Sequence, residues 1–414
     1  MDIPGLPARK GALKLLDAVL RRGETMDAAA NAALLGIKGH ADRALARALA
    51  GEVLRWLTDL DVMIDSATRL VLADDAKVRS VLRLMLAGWL RLETPPHAVI
   101  ATGLPLLIGG PRRLAHGVFS TLTKRGLALP AVPTLPGDVA ARWGIRAPAI
   151  AAGLAALPPL DLSLRDPGAT PEWAARLGGS SFGPGHIRLP RGTAVENLDG
   201  FSEGTWWVQD FAASIPAQLL SAGANGSGGR RVLDLCAAPG GKTLQLAAAG
   251  WQVTAIDASA KRLQRLAENL QRTGLSAQVI TADALSWEPD ELFDAVLLDA
   301  PCSATGTCRR HPDVLHRIGQ RQIAEMAELQ SALLSRAASW VKPGGQLVYA
   351  VCSLEADEGE AQAAKIGLAA DPIGAAELPA GLAPTSEGWL RTDPGMLADA
   401  GGLDGFFVAR WRRD

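Results

Sequence analysis

The hydrophobic repeat changes near residue 230, and that change restricts the chain to folds with a helical front and an alternating strand and helix back. From about Ala8 to Arg125, apolar residues recur every three or four positions, as in Leu13, Leu16 and Leu20, then Leu45, Leu49, Val53 and Trp56, then Val78, Leu82, Met85 and Trp89. No strand-like run interrupts them, and Pro95, Pro96 and Pro111 stand where helices start or break. This predicts a compact all-α domain. Beyond residue 230, strand-like runs at 231–235, 252–256, 278–281, 295–298, 346–351 and 405–410 alternate with helical patterns at 242–249, 259–272 and 321–340. That alternation predicts a doubly wound, mostly parallel sheet.

At 414 residues the chain exceeds one ordinary domain. A proline-rich stretch, 130–136, marks the end of the helical part. Pro158 and Pro159 precede the alternating Leu160, Leu162 and Leu164, which with the helical DFAASIPAQLL indicate a small α/β linking segment. The expected domains are 1–129, 130–222 and 223–414. The run SAGANGSGG, 221–229, reads as a loop without chemistry.

Charge is balanced, with 42 Lys and Arg against 43 Asp and Glu, so a globally basic nucleic-acid coat is excluded while local basic patches are not. Arg43, Arg47, Arg55, Lys77, Arg79, Arg83, Arg112, Arg113, Lys124 and Arg125 accompany the apolar stripes, mostly as solvated helix faces. Four cysteines without CxxC spacing or nearby histidine ligands predict reduced thiols and no metal. No leader pattern and no apolar run of about 18 residues appears, so the expectation is a cytoplasmic protein with no membrane span. Oligomeric state is left open, with a monomer favoured.

The segment VLDLCAAPGGKT, 232–243, is a strand, a turn of small residues and a helix start. Small residues let backbone approach a ligand, and a helix N-terminus offers unpaired N–H groups. Gly241, Lys242 and Thr243 also match the end of a phosphate-binding P-loop, but that motif's first glycine would fall at Cys236, whose side chain obstructs the wrap around phosphates. The next strands end at Asp257 and Asp283, placed to accept the hydroxyls of a ribose and to reach an adenine. With Asp299 they form a set of strand-end carboxylates. An adenosine-bearing ligand without a triphosphate is indicated, and S-adenosylmethionine fits.

Cys302 and Cys352 each follow a strand-like run, in VLLDAPCSATG and LVYAVCSLEADE. In open α/β sheets ligands gather at the carboxyl ends of strands, so two thiols there indicate covalent chemistry on a substrate. Spacing alone does not say which thiol attacks. Cys236 and Cys308 carry no such signal.

Together CAAPGGKT, DAPCSATGTCRRHPDV, YAVCSLEADEGE and DGFFVARWRR resemble the RNA cytosine-5 methyltransferases of the Nop/Sun group. The front, with DRALARALAGEVLRWLTDLD, is similar to the NusB-like RNA-binding domain carried by the bacterial RsmB (Sun) branch. The middle, 130–222, matches only loosely, mainly through PPLDLSLRD and WWVQDFAAS. The resemblance implies an all-α NusB-like domain, a linking segment and a Rossmann-like S-adenosylmethionine-dependent domain. It implies RNA as partner, 16S rRNA or a small-subunit assembly particle first, with tRNA or a non-catalytic assembly role as alternatives. It makes Cys352 the nucleophile on C6 of cytosine and Cys302 the aid to adduct breakdown. Asp299 would hold the N3/N4 edge of the base and lie near the methionine part of the cofactor. The cofactor would run along Cys236, Ala237, Ala238, Pro239, Gly240, Gly241 and Lys242, with Asp257 on ribose and Asp283 near adenine. Lys242 is also placed to lend positive field to the nucleophilic thiol. Arg309, Arg310 and His311, directly after the PCS motif, are expected to meet RNA phosphates.

Overall fold

The computed structural model describes residues 3–192, 194–221 and 229–414. The chain divides into two compact units, Met1–Ala155 with Cys308–Ile318, and Ala156–Thr307 with Gly319–Asp414. The first unit holds helices α1 (Leu6–Arg22), α2 (Met26–Ala33), α3 (His40–Arg55), α4 (Leu57–Asp65), α5 (Lys77–Leu90), α6 (Pro96–Gly103), α7 (Gly109–Lys124), α8 (Gly137–Trp143) and α9 (Ala147–Leu154). The apolar stripes of α1 to α7 meet in one core that contains Leu16, Leu49, Val53, Trp56, Leu82, Met85 and Phe119. The three-to-four-residue repeat thus becomes a set of faces turned toward a common interior.

Residues 130–136 connect helices of this unit rather than ending it. The Thr134 backbone N–H and hydroxyl donate to Asp59 at 2.9 and 2.7 Å. Arg55 and Arg91 donate to the carbonyls of Leu154 and Ala155. These bonds carry the helical unit to residue 155, beyond the boundary expected at 129, because polar groups tie the loop before α8 and the end of α9 back to α3, α4 and the end of α5.

The second unit begins with β1 (Leu160–Leu164), α10 (Thr170–Leu177), β2 (His186–Leu189), β3 (Trp206–Val208) and α11 (Phe211–Ser221). The three strands form an antiparallel sheet in the order β2-β1-β3, with Leu162, Leu164, Ile187, Leu189 and Trp206 on its core face. Asp161, on β1, is buried against Arg188 at 2.7 and 2.8 Å. Burial alone would raise this carboxyl, yet the hydrogen bonds from Arg188, with the nearby His186 ring 3.3 Å away, hold it well below the usual carboxylate range. Residues 222–228 of the low-complexity run lie outside the described residues.

The large sheet follows as β4 (Arg231–Leu235), α12 (Gly241–Ala248), β5 (Gln252–Asp257), α13 (Ala260–Thr273), β6 (Gln278–Thr281) and β7 (Phe293–Asp299). The chain then enters the first unit through Cys308–Ile318, which holds α14 (Val314–Arg317), and returns as α15 (Gln320–Ser339) and β8 (Val341–Val351). It ends with α16 (Glu360–Ala363), β9 (Ala369–Ala370), β10 (Leu390–Thr392) and β11 (Phe406–Arg412). The order is β10-β11-β8-β7-β4-β5-β6, with β9 beside β11. β6, β5, β4, β7 and β8 run parallel, β11 is antiparallel to β8, and β10 is antiparallel to β11. Successive residues of the central strands enter opposite cores: Val232, Ala295 and Leu297 on one face, Leu233, Val296 and Leu298 on the other. Strand order reverses between β4 and β7, and this switch point is where doubly wound sheets open a ligand crevice. Among the described residues no helix is long and apolar enough to cross a membrane, and no His, Cys, Asp and Glu group is arranged to hold a metal.

Candidate active site

The carboxyl ends of five adjacent parallel strands place the chemistry-bearing residues in a row. Along it stand Cys352 after β8, Asp299 and Cys302 at β7, Cys236 after β4, Asp257 at β5 and Asp283 just past β6. Register supports the row, with Leu235 opposite Leu298, Asp257 opposite Thr281 and Asp299 opposite Ala350.

On the β4 side the turn is shaped by local sequence. Cys236 has φ 60° and Gly240 φ 108°, and a side chain at Gly240 would also strike Leu266 of α13. Only glycine satisfies both demands. Helix α12 starts at Gly241, so its first N–H groups face the crevice. Asp257 is 5% exposed. Its carboxylate accepts from the N–H of Ala238 at 3.2 Å and of Ser259 at 2.9 Å, which fixes the turn against β5. Asp283 is exposed and accepts from the N–H of Leu285 at 2.9 Å. Asp234, inside β4, is fully buried against the Thr243 hydroxyl at 2.5 Å. Burial pushes its carboxyl up to about 7, the Thr243 bond opposing the rise. Burial, with the negative charges of Asp299, Asp257 and Asp234, also pushes the Cys236 thiol up to about 12, so Cys236 packs as a neutral group.

On the β7 and β8 side, the Cys302 and Cys352 sulfurs are 3.4 Å apart. The Lys242 ammonium donates to Asp299 at 2.7 Å, with the two side chains 9% and 30% exposed, and lies 5.3 Å from the Phe406 ring. Burial would lower the lysine, but the charge of Asp299 and its hydrogen bond, with a smaller contribution from Cys352, raise it. Cys302 is pushed well above the ordinary thiol value, first by its hydrogen bond to Cys352 and then by burial. A side chain at Gly306 would collide with the backbone of Gly405 and the Cys352 carbonyl. That close approach packs the DGFF motif against both cysteine turns.

The donor and acceptor set suits S-adenosylmethionine. Strand-end carboxylates accept hydroxyl, amino and ammonium donors, and the small-residue turn beside them packs Ala237, Ala238 and Gly240 inward and leaves Pro239 exposed. The structure thus gathers Lys242, Asp299, Cys302 and Cys352 closely, and Asp257 with the small-residue turn. It does not leave Arg309 at the surface. Arg309 is 1% exposed, its segment belongs to the helical unit, and its carbonyl accepts from Arg55 at 2.7 Å. The expected phosphate contact is corrected for this residue, because a guanidinium so enclosed offers no face to a phosphate. His316 of the same segment donates to the Leu54 carbonyl at 2.6 Å. Arg310 and His311 remain half-buried, the latter 3.7 Å from Asp27.

Sequence reasoning missed the polar residues behind the thiols: Ser303, Thr305, Gln330, Ser353 and Glu358, all buried. A signal existed in the serine that follows each motif cysteine.

The doubly wound sheet, the small-residue turn and the strand-end carboxylates define an S-adenosylmethionine-dependent methyltransferase. The family described as 16S rRNA methyltransferase RsmB/F matches residues 224–412, and the NusB family matches residues 6–106. The chain is 34% identical over 389 residues to ribosomal RNA small subunit methyltransferase B of Xanthomonas campestris, covering 86% of this chain and 87% of that one. It is 34% identical to the protein of the same name from Klebsiella pneumoniae, covering 89% and 90%. The crystal structure of PH0851 aligns over 100% of both chains with a TM-score of 0.71 and 22% identity, which shows the shared fold. The chain belongs to the RsmB/F family of 16S rRNA methyltransferases.

Proposed function

We propose that this RNA methyltransferase modifies C5 of a cytosine in 16S rRNA, free or within a small-subunit assembly particle, through a bond between Cys352 and C6. The 3.4 Å approach of the two thiols beside the Lys242 and Asp299 pair carries this reading. C5 of cytosine is a weak nucleophile. Addition of the Cys352 thiolate forms an S–C6 bond and moves the C5=C6 electron pair toward C5. S-adenosylmethionine, when bound, supplies an electrophilic methyl group for that carbon. Asp299, an acceptor, suits the N4 amino group and a protonated N3, so it favours the activated ring. The C5 proton then passes to water, its C5–H electron pair restores the C5=C6 bond, and the S–C6 pair leaves with the sulfur as the Cys352 thiolate.

The electrostatics support unequal parts for the two cysteines. Cys302 is held as a thiol, so it can donate its S–H to the sulfur that leaves C6. Lys242 supplies positive field to that same sulfur. The cofactor is held by the turn 236–242, with Asp257 on ribose and Asp283 near adenine. Arg310 and His311 keep the expected role beside the RNA backbone.

The purified chain, incubated with methyl-labelled cofactor and separately with 16S rRNA, small-subunit particles and tRNA, tests this reading when the product is mapped by bisulfite sequencing. A single 5-methylcytosine in 16S rRNA is expected. Label confined to tRNA would move the substrate, and no label on any RNA would favour an assembly factor.

A further inference from the structure

Behind the paired thiols lies a carboxylate that the chemistry above does not use. Glu358 is 0% exposed. One carboxylate oxygen accepts from the Ser303 backbone N–H at 2.8 Å and from the Gln330 amide at 3.1 Å. The other accepts from the hydroxyls of Ser303 and Ser353. Ser303 and Ser353 are the residues directly after Cys302 and Cys352. A buried carboxylate is stable only when its lone pairs meet donors, and here all four partners are donors contributed by three distant parts of the chain.

Glu358 is itself held from several sides. Its carbonyl accepts from the Tyr349 hydroxyl at 2.6 Å, and Tyr349 lies on β8, the strand that leads to Cys352. Gln330, on α15, also donates to the Pro301 carbonyl at 2.8 Å, next to Cys302. Arg391 of β10 donates to the Ser353 carbonyl and pairs with Glu360 at 2.5 Å. Thr305 joins the turns again by accepting from the Leu354 N–H at 3.0 Å, and the Gly306 N–H donates to the Cys352 carbonyl at 3.0 Å.

We infer that Glu358 is a positioning residue that clamps the two cysteine turns and thereby sets the separation of the thiols. It touches neither sulfur through a hydrogen bond of its own and acts through Ser303 and Ser353. Its negative charge adds to the field that keeps Cys302 protonated, after the hydrogen bond to Cys352 and burial. This role rests on the reading of Cys302 and Cys352 as a working pair.

The test uses a probe of thiol spacing that does not depend on methyl transfer. Phenylarsine oxide condenses with two adjacent thiols, forming two As–S bonds and releasing one water, while iodoacetamide reports each thiol singly. In the full chain carrying Glu358→Gln, an amide N–H₂ faces donors where an acceptor stood. Arsenical capture of the Cys302 and Cys352 pair, mapped by mass spectrometry, is expected to slow at least about tenfold. Alkylation of single thiols should change less than about twofold. With RNA and cofactor, kcat should fall by about tenfold or more while both KM values stay within about twofold. Ser353→Ala, which keeps the carboxylate and removes one donor, should show a smaller loss of capture and kcat and gives the reading if Glu358→Gln does not fold. Unchanged capture and kcat in folded Glu358→Gln, or in Ser353→Ala where the first variant is unfolded, overturns the proposal. Slowed capture in a protein whose wild type methylates no RNA would sustain the clamp and sink the functional reading instead.

Discussion

The two halves of the strand-end row are assembled by different means. On the cofactor half, Asp257 and Asp283 are fixed by backbone N–H groups of their own turns and the adjacent strand, at Ala238, Ser259 and Leu285. On the thiol half, the cysteine turns are joined through Glu358 to Ser303 and Gln330, 55 and 28 residues away in sequence. A half built from local turns is set by its own segment. A half built from distant side chains forms only when the whole sheet has folded, and loss of one member disturbs every partner.

The largest expected effect lies on the thiol half: Cys352→Ala should lower methyl transfer by about a thousandfold or more, with cofactor affinity kept within about twofold. Equilibrium binding of labelled cofactor and a methyl-transfer assay check both parts. Loss of cofactor binding in this variant would erase the separation of the halves.

Next comes a pH effect on the cofactor half. The carboxyl of Asp234 is raised from 3.8 to about 7 in the folded chain, so the native state holds the proton longer than the unfolded one. Stability from this group is full below pH 4 and is lost as pH rises through 7, amounting to about 4 kcal/mol. Urea unfolding from pH 5 to 8 should show most of that fall in the wild type. Asp234→Asn, which keeps an acceptor for Thr243, should flatten the slope, and an equal slope in both proteins would remove the assignment.

Asp257→Ala removes an acceptor serving two N–H groups and the expected ribose. Cofactor affinity should weaken about 10- to 100-fold, in line with charge-assisted bonds of about 1.5–3 kcal/mol, while arsenical capture of the two thiols stays near wild type. A parallel loss of capture would show that the halves are not independent. The smallest effect is expected from Lys242→Met, which bridges the halves: alkylation of Cys352 at pH 7 should slow by about threefold to tenfold. An unchanged rate would withdraw the lysine's field from the account.

This contrast also explains what the sequence disclosed. CAAPGGKT and VTAID were readable because glycine demands and strand-end carboxylates are local, and the alternating pattern located all the parallel strands. Glu358 was not, since a carboxylate in LEADEGE beside Asp357 and Glu360 reads as a solvated charge until the fold buries it. Arg309 failed in the same way, in a basic run whose place in the helical unit depends on contacts with Arg55 more than 250 residues upstream. The boundary expected at 129 was displaced because prolines mark a break in helix but not the polar contacts beyond it, such as Thr134 with Asp59. The pairing of Cys302 and Cys352 was legible as a shared location, and the resemblance supplied their division of labour.

That division is tested most directly by trapping. Full-length Cys302→Ala, mixed with 16S rRNA and S-adenosylmethionine, should accumulate a denaturation-resistant protein–RNA adduct whose peptide map places the nucleotide on Cys352, and Cys352→Ala should form none. An adduct on Cys302 in Cys352→Ala, or no adduct in either variant while the wild type methylates the RNA, would contradict the account.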